Sequence, residues 1–236
     1  MPHSHTKYID DAEWDCPKKI KSRIETIVVP YRHIYKRLCL PEGRQYWTIC
    51  GAHFDEQGKL DGEYGQLIKD GLISPHQFYG VDKEKSIIDK NREYYPSVKW
   101  LNGDFLEMME EALIAGDFRP AIINFDNIRQ KKFGAKELMQ IMKMIDDQWY
   151  GDLLLSVNFV LNSPYRKSVI DSGNDVIDCL LSCYKIPDHW NLYPEYYLYH
   201  GSGSRSATWM GTFTFVKKEH EESIITEGRR LDQWEK

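Results

Sequence analysis

Apolar residues cluster in five short runs between positions 45 and 161, and each run is bounded by polar or turn-forming residues. The runs cover 45–50 (QYWTIC), 77–81 (QFYGV), 98–101 (VKWL), 121–125 (AIINF) and 153–161 (LLLSVNFVL). Their β-branched and aromatic content and their length predict strands. Between them the apolar period changes to that of helices. Helices are predicted over 63–70, from 82 to before Pro96, over 105–115 and over 135–147, with Gly71 and Gly116 as stops. The face formed by Leu138, Ile141, Met142 and Ile145 is read as core. A further helix is expected at 172–184. Upstream, apolar residues at Ile20, Ile24, Ile27, Val28, Ile34, Tyr35 and Leu38 predict a helix over 18–40, broken or kinked at Pro30.

The chain ends differently. Segments 196–200 and 207–216 are rich in strand formers and flank the turn-forming GSGSRS of 201–206, which predicts an antiparallel hairpin. Residues 187–199, with Trp190, Tyr193, Tyr196, Tyr197 and Tyr199, are read either as a substrate lid or as aromatic packing on a β-rich edge.

Strands that alternate with helices pair in parallel, because a parallel neighbour requires a long crossover. Ligands of such sheets bind outside the carboxyl ends of the strands. Gly51, Asp82, Asp104 and Asp126 follow four of the predicted strands directly or within a few residues, so they should gather at that edge.

Composition narrows the class. A chain of 236 residues, 42% hydrophobic and 28% charged, is long enough for a sizeable core. Three parts are expected: a helical, basic extension over 1–43, an α/β domain over 44–217 and a charged tail over 218–236. The formal charge of −5 argues against a globally basic nucleic-acid binder. Locally the balance reverses. Lys18, Lys19, Lys21, Arg23, Arg32, Lys36 and Arg37 stand against Glu25 alone, and this segment is either a solvated helix face or a contact for a polyanion such as nucleic acid. No apolar run is long enough for a membrane helix, and five cysteines without framework spacing fit a reducing cytoplasm. Cys179 and Cys183 are read as buried thiols, with no metal ligand set.

The order of elements, together with Gly51, Asp82, Asp104-Phe105 and Asp126 at the strand ends, resembles the class I S-adenosylmethionine-dependent methyltransferase fold over about 44–217. The resemblance implies a Rossmann-like, seven-stranded, mostly parallel sheet of order 3-2-1-4-5-7-6, with helices on both faces and a C-terminal antiparallel hairpin. It implies S-adenosylmethionine as cofactor. Gly51 would lie against the methionine moiety, where a Cβ would clash. Asp82 would accept from both ribose hydroxyls, Asp104 from the adenine amino group, and Phe105 would lie against the base. Asp126 and Asn124 would face the methyl acceptor.

This chain departs from the family pattern in its first loop, which lacks a GxGxG-like cluster; after Gly51 the next glycines are Gly58, Gly62 and Gly65. The base-methylating motif is also missing after the fourth strand. Its nearest look-alike, Asn162-Ser163-Pro164-Tyr165, follows the fifth. His53, His76, His189 and His200 are candidate general bases or ordinary surface histidines. Three readings stand at this point: an active methyltransferase with nucleic acid slightly favoured as acceptor, an inactive methyltransferase-like binding or scaffold protein, and another nucleotide-binding α/β enzyme. The last lacks its GxGxxG turn. Oligomeric state has no signal in the sequence.

Overall fold

The computed structural model describes residues 23–50, 63–126, 137, 140–145, 153–161, 190–200 and 207–217. Its strands are β1 (Gln45–Ile49), β2 (Phe78–Asp82), β3 (Lys99–Asn102), β4 (Pro120–Phe125), β5 (Leu153–Leu161), β6 (Trp190–His200) and β7 (Ala207–Lys217). They form one sheet in the order β3-β2-β1-β4-β5-β7-β6. β1 to β5 pair in parallel with one another, and β7 runs antiparallel between β5 and β6. The predicted strands shift by a residue or so at their ends. The exception is β6, which begins at Trp190 rather than at 196. Pro194 argues against a strand in sequence, because proline cannot donate to a ladder. On β6, which among the described strands pairs with β7 alone, that donor can be spared. Residues 187–189, 201–206 and 162–184 lie outside the described residues, and with them the turn of the expected hairpin and the helix expected at 172–184.

Alternation along the strands separates two faces. On one, Trp47, Tyr79, Val81, Ile123, Phe125, Leu153 and Leu155 meet Phe105 and Met109 of α4 (Phe105–Ile114) and Ile141, Met142 and Ile145 of the helical α5 (140–145). On the other, Tyr46, Phe78, Trp100, Ile122 and Leu154 meet Ile27, Val28 and Tyr31, Tyr64 and Leu67 of α2 (Glu63–Lys69), and Ile88 of α3 (Lys85–Tyr94). Burying each such side chain contributes about 1.5–3 kcal/mol. Gly71 and Gly116, with φ of 67° and 73°, close α2 and α4. In each case the amide after the glycine reaches back to form the last-turn bond: Leu72 to Leu67 O at 3.0 Å, Asp117 to Ala112 O at 2.9 Å.

The segment before β1 is not broken at Pro30; it changes helical register just before it. A π-helical stretch (Ile24–Val28) passes into α1 (Val29–Tyr35) with Pro30 in its first turn. Helical residues run on through Pro30, whose missing N–H falls where the wider π turn gives way to the α turn. Ile27, Val28 and Tyr31 are buried in the cluster on this face of the sheet, so this helical segment shares the core of the α/β unit. The Tyr35 hydroxyl donates to Leu153 O and accepts from Leu153 N, both at 2.8 Å, and ties α1 to the start of β5. Among the described residues no helix is long and apolar enough to cross a membrane.

Candidate functional site

The carboxyl ends of β1, β2 and β3 are locked together by backbone and amide bonds. The Cys50 amide, one residue past β1, donates to Val81 O at 2.9 Å. At the next pair, Asn102 Nδ2 donates to the carbonyls of Asp82 and Lys83, both at 3.0 Å, and the Gly103 amide donates to Asp82 O at 3.0 Å. Trp100 fills the space over Gly80, between the two strands. Cys50 is buried, and burial, with the charges of Asp82 and Glu63, raises its thiol well above the usual range. It is a packed thiol, not a nucleophile. Gly51 and the rest of 51–62 lie outside the described residues.

Asp82 ends β2 half-buried. Its Oδ1 accepts from the Glu84 amide at 2.8 Å, which turns the chain into α3. The residue flanking that helix is Glu84, so Asp82 is not its cap. Burial raises its carboxyl to about 6, against the lowering effect of the Glu84 and Lys83 amides. Asp104, in contrast, caps α4 through a 3.0 Å bond from the Leu106 amide to Oδ1, while Lys83 Nζ sits 2.6 Å from Oδ2. Its burial opposes ionisation, but the Lys83 and Leu106 bonds outweigh it and hold the carboxyl below the usual range. The two acids thus occupy adjacent strand ends in opposite electrostatic settings.

Phe105, expected against a base, is a core side chain. It is 5% exposed and packs on Phe125 with ring centroids 5.6 Å apart. An apolar residue directly after a cap finds more apolar contact beneath the helix than at the strand ends. Asn124, expected to face an acceptor, is also buried. It points to the α2 side of the sheet and donates through Nδ2 to Glu63 Oε1 at 2.6 Å. Of the pair read from the fourth strand, only Asp126 stands at the edge, half-buried and one residue beyond β4.

Glu63 opens α2 and is 1% exposed. Besides Asn124, its carboxylate accepts from the Tyr46 hydroxyl and, at 3.1 Å, from Thr48 Oγ1; Arg23 Nη2 lies 3.8 Å from Oε2. Burial, then the Glu63 charge, keeps the Tyr46 phenol protonated far beyond neutral pH, so it remains a donor. Thr48 and Asn124 are register partners on β1 and β4. Sequence reasoning missed this cluster. Its one visible trace is the pair of polar residues, Thr48 and Asn124, inside otherwise apolar strands; Glu63 looks like an ordinary first-turn acid.

The basic segment disperses. Arg23 is buried beside Glu63, and Arg32 is spent on Leu38 O (3.1 Å) and Asp70 O. Arg23 therefore leaves the set of candidate surface contacts. Lys36 and Arg37 are exposed past α1, and Lys18, Lys19 and Lys21 lie outside the described residues. So do the motif at 162–165, His53, His189 and both Cys179 and Cys183. The aromatic residues of 190–199 belong to strand β6, not to a lid.

The parallel run β3-β2-β1-β4-β5, with an antiparallel strand inserted before the edge, is the expected sheet order. The architecture is that of the class I, Rossmann-like methyltransferase fold. No family model matches the sequence, and no curated protein is significantly similar to it. Among solved structures, the chain is similar to an O-methyltransferase from Bacillus cereus in complex with SAH, at 13% identity over 84% of this chain and 81% of that one, with a TM-score of 0.47. It is also similar to protein LPL1258 from Legionella pneumophila, at 11% identity over 84% and 83%, TM-score 0.49. A third is the O-methyltransferase TomG from Streptomyces achromogenes in complex with SAM, at 12% over 73% of each chain, TM-score 0.43. With TM-scores this low, these likenesses assign no residue of this chain.

Proposed function

We propose that this chain binds S-adenosylmethionine across the carboxyl ends of β3, β2 and β1 and transfers its methyl group, with nucleic acid the favoured acceptor. One observation carries the reading: a sheet of this order puts Asp82 and Asp104 at adjacent strand ends, joined by Asn102, which bonds the Asp82 and Lys83 carbonyls, and by the Lys83–Asp104 pair. Both acids suit the cofactor. Asp82 is half-buried and offers a carboxylate to a vicinal diol. Asp104 already accepts from one nitrogen donor, the Lys83 ammonium, at the oxygen that an exocyclic amine would use. When bound, the cofactor supplies an electrophilic methyl carbon on a sulfonium. Asp126, at the edge beyond β4, is the group that would orient an acceptor or hold its proton. Asn124 contributes from below, through Glu63.

The test is calorimetric titration of the full chain with S-adenosylmethionine and S-adenosylhomocysteine. Micromolar binding is expected, and Asp82→Ala should weaken it by about 1–3 kcal/mol, the scale of hydrogen bonds to a charged group. Unchanged affinity in a folded variant would remove the ribose assignment. The slight nucleic-acid preference rests on what is left of the basic 18–37 segment, Lys18, Lys19, Lys21, Lys36 and Arg37. Changing Lys18, Lys19 and Lys21 to Glu should weaken nucleic-acid binding and flatten its salt dependence.

A second reading, a cofactor-binding protein without transferase activity, is favoured by the commitment of Asn124 to Glu63, which leaves Asp126 alone of that pair at the strand ends. Cofactor binding with no turnover across DNA, RNA and small-molecule acceptors would select it.

A further inference from the structure

We infer that the sheet edge formed by the amino ends of β1 to β4 is a docking surface for an acidic segment of a partner protein that also carries aliphatic side chains. The inference stands apart from the cofactor reading, because it concerns the opposite edge. β1 has five residues, so the two edges lie roughly 15 Å apart.

Apolar exposure collects there. Among the described residues the exposed large hydrophobic side chains are Leu38, Tyr94 and Ile114, at 78%, 44% and 81%. Leu38 precedes β1, while Tyr94 and Ile114 end α3 and α4, the helices that return the chain to the starts of β3 and β4. One exposed apolar residue is ordinary on a surface; here all three fall on one edge. Charge is one-sided as well. Lys36, Arg37, Lys69 and Arg119 are exposed along the same edge, against the exposed acids Glu42 and Asp117. Asp117 is already paired with Lys99 at 2.8 Å. The edge is therefore basic in a chain whose formal charge is −5.

The backbone that presents Leu38 is fixed. Lys36 closes α1 at φ 51°, a left-handed turn that usually falls to glycine. Arg32 Nε donates to Leu38 O at 3.1 Å, the Leu40 amide to Leu72 O at 2.8 Å, and Gln77 Nε2 to Pro41 O at 2.8 Å. Arg119 is tied to Gln45 in both directions, by the Gln45 amide to Arg119 O at 3.1 Å and the Arg119 amide to Gln45 Oε1 at 2.8 Å. Side chains on a preorganised backbone give up less freedom on binding. An apolar knob within a basic rim matches a protein surface of opposite charge. A nucleic-acid backbone would use the rim alone. It would leave the aliphatic Leu38 and Ile114 without a partner, where single-strand binders present aromatic rings to stack on bases.

The experiment probes the labelled full chain on an array of short synthetic peptides whose acidic and aliphatic content vary independently, with single-stranded DNA in parallel. Peptides that carry both acids and leucine should be retained best. Leu38→Ser should weaken retention of those peptides about five-fold or more, the scale of one partly buried aliphatic side chain, and leave their leucine-free counterparts unchanged. Lys36→Glu combined with Arg37→Glu should abolish the preference for acidic peptides. Lys85→Glu, at the start of α3 on the other edge, should change retention by less than about two-fold. All four side chains are exposed, so the variants should keep the fold. Retention indifferent to peptide composition and to Leu38 overturns the inference. So does tighter binding of DNA that Leu38→Ser leaves unchanged, which would give the edge to nucleic acid. Self-association lost in Leu38→Ser, with no peptide retained, would give it to a second copy of this chain and overturns the inference too.

Discussion

The indole of Trp100 lies so close over Gly80 that a β-carbon there would come within 2.4 Å of its Cζ3 and 3.1 Å of Cys50 Sγ. Trp100 is 2% exposed, and its Nε1 donates to Tyr95 O at 3.0 Å, so the ring cannot retreat. Gly80→Ala should therefore destabilise the protein by about 1–3 kcal/mol, the usual range for overpacking. Urea denaturation would measure it, and a variant as stable as wild type would show that the two strands can separate without penalty.

Asp82 gives a pH dependence whose sign is fixed. Burial pushes its carboxyl to about 6 in the folded chain, above the roughly 3.9 of an unfolded aspartate. The folded state holds that proton more tightly, so this group lowers stability as pH rises from about 4 through about 6. Asp82→Asn keeps the acceptor for the Glu84 amide. It should be more stable than wild type above about pH 6, with the gain vanishing toward about pH 4. A gain that grows on acidification would contradict the burial argument.

The same carboxyl should govern ligand affinity. Ribose hydroxyls donate best to the ionised form, so S-adenosylhomocysteine binding should weaken as pH falls through about 6. In Asp82→Asn it should be weak and flat over that range. Parallel titrations at several pH values decide the matter.

Lys83 occupies the Asp104 oxygen that the adenine amine would use, at 2.6 Å, with 61% of its side chain exposed. An exposed pair of this kind contributes little, about 0–1 kcal/mol. Lys83→Met should therefore tighten S-adenosylhomocysteine binding, by at most about five-fold. Weaker binding would mean that Lys83 itself contacts the ligand.

Tyr35 offers a test of the N-terminal packing. Its hydroxyl satisfies both Leu153 O and Leu153 N, and Leu153 is 1% exposed. Tyr35→Phe should cost about 1–3 kcal/mol, the penalty for stranding buried polar groups. A loss below about 0.5 kcal/mol would place the start of β5 within reach of water instead.

The strands were legible in the sequence because period and residue type report local geometry. Five runs of apolar residues became β1 to β5, and Gly71 and Gly116 ended helices where only a positive φ serves. β6 begins at Trp190, ahead of the predicted 196, and tolerance of the Pro194 within it depends on a place at the edge of the described sheet. Asp82 and Asp104 were legible as acids at strand ends. Their electrostatics were not: one is raised by burial and the other lowered by Lys83, a residue adjacent to Asp82 in sequence but paired across to Asp104.

The sequence by itself determined the alternation of strands and helices, and from it the edge where polar groups collect, because those are periodicities of neighbouring residues. Only the tertiary structure decided which polar residues turn inward. Arg23, the Tyr46–Thr48 pair, Glu63 and Asn124 come from separate stretches of the chain, and only the polar Thr48 and Asn124 inside apolar strands hint that they meet. They meet because β1 and β4 pair in parallel register while α2 and the residue before the π-helical stretch cover the same face. A buried carboxylate requires all its donors at once, and that requirement exists only in three dimensions.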